Sequence, residues 1–443
     1  MEITGGATVE STSVTDSTLG DDVGSTGTLL LSGSGSELTL AAHFDVGNSG
    51  EGTLTVDDGA VLRSGRGYIG HNAGSDGEAT VTGADSKWLI HAGSHVYVGT
   101  SGTGKLTIAD GAEVFNETAL IGNGSTGNGT AIAQGAGTLW TNTVDVYVSN
   151  NGTSTLTIKD GAEVVVGRTT LIGRKAGSTG VATVTGIGSK LTHDTVLNAQ
   201  SELLVGSAGH GELNIYNGAL VTSTIGEIAR TVTSSEGVVT VAGLDPVAAT
   251  IATATWNNSD RLFVGGKEEG AGGLGTLNVE NGGVVTVGNT LKVWSPGIVN
   301  LSGGLLEADD LDFDDPNDLN WTGGTLRINS SLSIEPASIQ LGNTVTVPTS
   351  ATLDVPSHGI TIGAGGTGVL NVDGGAVTTG STIDVLASGT VNLSGGLLEA
   401  DDVDFDDTGD LNWTGGTLRI TGSNVAIDPT SRQLQSNLSV ATG

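Results

Sequence analysis

The chain has 443 residues, 74 of them glycine, and carries 16 basic against 48 acidic side chains for a formal net charge of −32. Such a balance excludes nucleic acid and anionic membrane as expected partners, since both call for a basic surface, and the absence of cysteine excludes disulfides. Regular Val, Ile and Leu alternation within an apolar fraction of 36% argues against disorder, and the lack of a three-residue glycine period argues against collagen.

The start, Met1-Glu2-Ile3-Thr4, lacks the basic and apolar regions of a signal peptide, which leaves a cytosolic chain or an exported one whose leader was removed. No apolar run reaches the roughly 18 residues of a membrane-spanning helix, so no membrane insertion is expected. From residue 54 a phrase of the form Leu-Thr-Val-x-Asp-Gly-Ala recurs: Leu54 to Ala60, Leu106 to Ala112 and Leu156 to Ala162, with weaker copies from Leu213, Leu277 and Leu370. Between copies come a strand ending in Ile-Gly (Ile69-Gly70, Ile121-Gly122, Ile172-Gly173), an alternating segment (Ala79-Thr80-Val81-Thr82-Gly83), a bulky residue (Trp88, Trp140, Leu191, Trp256) and a closing Val-Gly or near match. The candidate strands are short, period-two and bounded by Gly, Asn or Asp, which predicts strands throughout.

A second repeat type begins near residue 289. The segment 299–310 returns almost verbatim at 391–402, and 319–327 returns at 411–419. The predicted organisation is therefore all-β: an elongated single-chain β-solenoid (parallel β-helix) of stacked coils, with 1–288 built of units of about 50–64 residues and 289–443 continuing it with a duplicated acidic unit. Coils of roughly 20 residues stacked about 4.8 Å apart would give about 22 coils and a rod of roughly 100 Å.

Each Asp-Gly or Asn-Gly pair (Asp58-Gly59, Asp110-Gly111, Asp160-Gly161, Asn217-Gly218, Asn281-Gly282, Asp373-Gly374) is expected to close a tight turn, because both residues tolerate positive φ. The candidate site residues are the acids of the duplicated unit: Asp309, Asp310, Asp312, Asp314 and Asp315, then Asp401, Asp402, Asp404, Asp406 and Asp407. A carboxylate-dense loop can offer calcium its six to eight oxygens. The same alternation also fits a strand with Leu311 and Phe313 inward and a solvated acidic face. The recurrent tryptophans are expected to stack in a coil corner, with a row of exposed sugar-binding rings as the alternative. His91 and His95, evenly spaced as on one strand face, lack a matching ligand set for zinc. Four G-x-G-x-x-G matches, from Gly65, Gly122, Gly270 and Gly363, precede no helix and imply no dinucleotide site.

The phrases 52–60 and 77–88 resemble the repeats shared by type V autotransporter passengers and PEP-CTERM-associated bacterial surface proteins. The resemblance covers roughly residues 30 to 290 and again 360 to 380. It implies an exported chain at the bacterial cell surface, serving adhesion, aggregation or matrix. With neither leader nor membrane anchor in the sequence, the expectation is an excised passenger, a processed form or a free fibre subunit. The expected function is a non-enzymatic extracellular structural or adhesive solenoid that self-assembles head-to-tail, because terminal coils leave open sheet edges; Pro429 near the end would blunt one of them. A polysaccharide-binding module or a polysaccharide-acting β-helix enzyme stays open as the alternative, with cell-surface glycans as the partner.

Overall fold

A computed structural model describes residues 1–194, 201–231, 234–244, 252–406 and 410–422; Pro429 lies outside them. The protein is a β-solenoid of parallel coils with about 15 turns. Among the described residues there is no α-helix, and the helical segment Pro316–Asp318 is a single 3-10 turn. The chain forms two compact units, Met1–Asn258 with Gly265–Thr276, and Ser259–Val264 with Leu277–Gly443.

In the first unit each regular coil has three strands, and each strand pairs with its equivalents one coil before and after. The first face runs through Thr26–Ser32, Glu51–Asp57, Asp76–Thr82 and Thr103–Ala109; the second through Glu37–Leu40, Val61–Ser64, Lys87–Ile90 and Glu113–Asn116. The third face runs through Phe44–Val46, Gly67–Ile69, His95–Val98, Thr118–Ile121, Asp145–Val148 and Thr169–Ile172. Alternate side chains point inward, so Leu54, Ala79 and Leu106 form one fully buried aliphatic column and Val56, Val81 and Ile108 a second beside it.

The register corrects the expected unit. Glu51, Asp76, Thr103, Asn128 and Thr153 lie side by side, so successive coils take 25, 27, 25 and 25 residues. The phrase Leu54-Thr55-Val56 sits directly against Ala79-Thr80-Val81, which sits against Leu106-Thr107-Ile108. One sequence repeat of about 50 residues is therefore two coils, and the turns number about 15 rather than the expected 22.

Why the sequence repeats every second coil is visible at the corner between the first two faces. Five of the six Asp-Gly and Asn-Gly pairs adopt the predicted conformation, with φ of 52° and 80° at Asp58 and Gly59 and 54° and 86° at Asp110 and Gly111, whereas at Asp373-Gly374 only the glycine has positive φ. The intervening coils turn instead through Gly83-Ala84-Asp85-Ser86 and its equivalents. There the hydroxyl accepts the amide that the neighbouring Asp-Gly turn leaves free: Gly59 N donates to Ser86 Oγ (2.9 Å), Gly111 N to Thr138 Oγ1 (3.0 Å) and Gly161 N to Ser189 Oγ (3.0 Å). Odd and even coils are thus complementary rather than identical.

Another corner needs glycine for space. A Cβ on Gly104 would lie 2.2 Å from both Gly99 N and Ile69 O, closer than any real side chain approaches backbone.

The second unit also has three ladders. One links Thr344–Pro348, Gly368–Asp373, Gly389–Leu393 and Leu411–Trp413; another links Leu332–Ile334, Ile360–Ile362, Thr382–Val385 and Asp402–Phe405. The third links Leu319–Ile328, Ala351–Val355, Ala376–Thr379, Leu397–Ala400 and Thr417–Ile420. Coils here shorten: Val299 pairs with Leu319 and Val391 with Leu411, both 20 residues on. Asparagine ladders tie them outside, Asn412 Nδ2 to Asn392 Oδ1 (2.8 Å) and Asn392 Nδ2 to Asn371 Oδ1 (2.7 Å).

Candidate functional site

The candidate acids lie along an outer ridge of the second unit. In the strand Ile298–Phe313, Leu311 and Phe313 are buried and the acids between them stay at the surface, as the alternating pattern predicts. The acids of the first copy meet donors close by, two of them sharing one lysine. Asp309 accepts from Asn329 Nδ2 (3.3 Å), Asp310 from Gln340 Nε2 (2.8 Å), and Asp315 from Asn317 N (2.9 Å), capping the 3-10 turn. Lys292 Nζ bridges Asp312 (2.8 Å) and Asp314 (2.6 Å). In the duplicate, Asp401 accepts from Thr421 Oγ1, Asp402 from Val403 N and Asp406 from Ala387 N, while Asp404 sits half-buried between the buried Val403 and Phe405. Asp407 lies outside the described residues. Among the described residues no three His, Asp or Glu side chains converge to hold a metal ion.

The tryptophan row is not a sugar platform in the first unit. Trp88, Trp140 and Trp256 are fully buried, and the register places Val114 between Trp88 and Trp140, so the rings do not stack on each other. Their indole N–H groups find buried acceptors at Ser64 Oγ (2.9 Å), Asn116 Oδ1 (2.8 Å) and Ser223 Oγ (3.3 Å). His91 and His95 do not share a face either, since the corner at Ala92 and Gly93 separates them.

The exposed aromatic chemistry gathers elsewhere, on the third face of the first unit. Its outward central positions read Tyr68, Tyr97, Leu120, Tyr147 and Leu171 in successive coils. Three of the chain's four tyrosines therefore occupy one column. Tyr68 and Tyr97 stack at 4.7 Å with 8° between planes, and His71 stacks on Tyr68 at 4.1 Å. Leucine at 120 interrupts the ring column and opens a depression of about 310 Å³, lined by His95, Tyr97, Glu117, Leu120, Asp145, Tyr147 and Arg168 among others.

Polar groups hold this depression in shape. Asp145, only 3% exposed, accepts from Arg168 Nε (2.9 Å) and Nη2, from Tyr147 Oη (3.0 Å) and from Thr169 N (3.2 Å). Burial first, then the Asp145 charge, raises the Tyr147 pKa, and burial raises that of Tyr97, so both phenols stay neutral donors. Burial lowers the His95 pKa against the pull of Glu117. Arg174 lies 5.0 Å over the Tyr147 ring. The signal that locates this site is the residue just before each closing Ile-Gly, Val-Gly or Val-Ser pair: Tyr68, Tyr97 and Tyr147.

No family profile matches the chain, and no curated protein matches it. The fold is that of a parallel β-helix repeat protein.

Proposed function

We propose that the protein is a non-enzymatic structural and adhesive β-solenoid of the bacterial cell surface, assembling end to end. The support comes from how the surface charges are used. Lys87 pairs with Glu113 (2.6 Å), Lys105 with Glu78 (2.7 Å), Arg63 with Glu37 (2.7 Å), Arg327 with Asp354 (2.8 Å) and Arg419 with Glu399 (2.7 Å), in each case reaching across to an adjacent coil. Each such exposed pair is worth little alone. Repeated along the ladders they fix register and oppose like-charge neighbours, which is the work of a scaffold.

End-to-end assembly would extend to a second chain the coil-to-coil strand pairing that the described coils use, as where Glu2–Ile3, Thr8–Ser11 and Ser17–Leu19 each pair with the coil that follows. Light scattering and electron microscopy over a concentration series test the proposal. Particles lengthening in one dimension with concentration are expected; single particles at every concentration would overturn end-to-end assembly.

A further inference from the structure

Carboxylates are abundant in a chain of net charge −32, and the described arginines use them. All but two pair with one. The two exceptions, Arg66 and Arg174, both border the tyrosine column: Arg66 lies against Tyr68, and Arg174 lies over Tyr147 with Nη1 on Asn150 Oδ1 (2.8 Å). Two guanidiniums without a carboxylate partner thus stand along the tyrosine column, one at Tyr68 and one at Tyr147, free to take an anion from outside.

The depression itself is walled by aromatic rings. Tyr97 and Tyr147 stand two coils apart, roughly twice the strand spacing of about 4.8 Å, with Leu120 as the floor. That gap admits one saturated ring edge-on, its C–H faces against the two phenols. Hydroxyls of such a ring have Glu117, Asp145 and Arg168 within the same lining.

We infer that the third face of the first unit binds an acidic polysaccharide, one pyranose seated between Tyr97 and Tyr147 and uronate carboxylates paired with Arg66 and Arg174. This supplies the adhesive half of the proposed function with its ligand class and rests on that reading. The ligand is held by stacking and charge and leaves unchanged.

Calorimetric titration of the full chain with uronic-acid hexasaccharides, against neutral cello-oligosaccharides of equal length, tests the inference. The wild type is expected to bind the uronate and not the neutral sugar, with affinity falling as salt rises. Tyr97→Ala and Tyr147→Ala should each weaken binding about tenfold, the order of one aromatic contact. Arg66→Gln with Arg174→Gln should weaken it similarly and flatten the salt dependence. Tyr216→Ala, at the end of the first-face strand His210–Tyr216, should bind as the wild type does. Melting temperatures of all variants separate lost binding from lost fold. Equal binding of the neutral sugar, no uronate binding, or tyrosine and arginine variants at positions 66, 97, 147 and 174 that bind like the wild type would each overturn the inference. Shortened uronate chains after incubation, with binding lost in the tyrosine variants, would uphold this face and overturn the non-enzymatic reading instead.

Discussion

Two buried ionisable residues of the first unit pull its stability in opposite directions. Burial pushes the Glu227 carboxyl up to about 7, with Arg230 opposing and Glu202 reinforcing the shift. It drives the His193 imidazole down to about 4, opposed by the bond to the Thr222 carbonyl. Nδ1 faces that carbonyl and so carries the proton, while Nε2 meets Thr170 Oγ1 at 3.0 Å. Glu227 is raised, so the folded chain binds more protons than the unfolded one between pH 4.5 and about 7; its contribution is full below 4.5 and is lost as pH rises through 7. His193 is depressed, so its contribution is full above 6.5 and is lost as pH falls through about 4. The two slopes nearly cancel across one window. Glu227→Gln should therefore stabilise the protein at pH 8 by roughly 2–3 kcal/mol, leave it unchanged near pH 4.5, and expose the acid lability due to His193. Denaturant midpoints measured from pH 4 to 8 would show this, and parallel wild-type and variant curves would refute it. Nothing in the sequence marks either residue, because burial in a solenoid depends on which coil covers which.

At the level of strands, inward residues were legible from alternation alone, as Leu54, Val56, Leu106 and Ile108 illustrate. What alternation could not supply was the pairing partner. The phrases at Leu54 and Ala79 differ in sequence yet occupy equivalent positions, since one coil carries Asp-Gly and the next carries the Ser or Thr that caps it. Large residues are likewise accommodated across coils. Trp88 extends over Gly67 of the preceding coil, where an added Cβ would lie 2.6 Å from Trp88 Cζ2. Gly67→Ala should cost about 1–3 kcal/mol by overpacking. With Trp88→Leu present, the same change should cost much less, and a double-mutant cycle with no coupling would show that the two do not share this space. The tyrosine column escaped prediction for a related reason. The residues stand 29 and 50 positions apart in sequence, Tyr68 to Tyr97 to Tyr147, and they line up only once the coil length is known. Alternation in the first acidic strand, by contrast, marked Leu311 and Phe313 as inward, but nothing in it told that Lys292 would draw Asp312 and Asp314 to one ammonium.

For the molecule as a whole, the coil is the unit of folding and the coil pair the unit of sequence. Deleting residues 51–102 removes two coils and restores an even corner against an odd one. That variant is expected to fold with a melting temperature near the wild type. Deleting 76–102 alone sets the Asp58-Gly59 corner against Asp110-Gly111 and leaves the Gly59 amide without its hydroxyl. This chain should fold but lose about 1–2 kcal/mol, the order of one half-buried donor left unsatisfied together with mismatched packing. Equal stability of the two deletions would contradict the corner complementarity. The bond from the glycine amide to the Ser or Thr hydroxyl across the corner thus acts as a parity rule. Copying a segment of such a chain keeps the rule only when an even number of turns is copied, and the sequence's own period of about 50 residues is two turns.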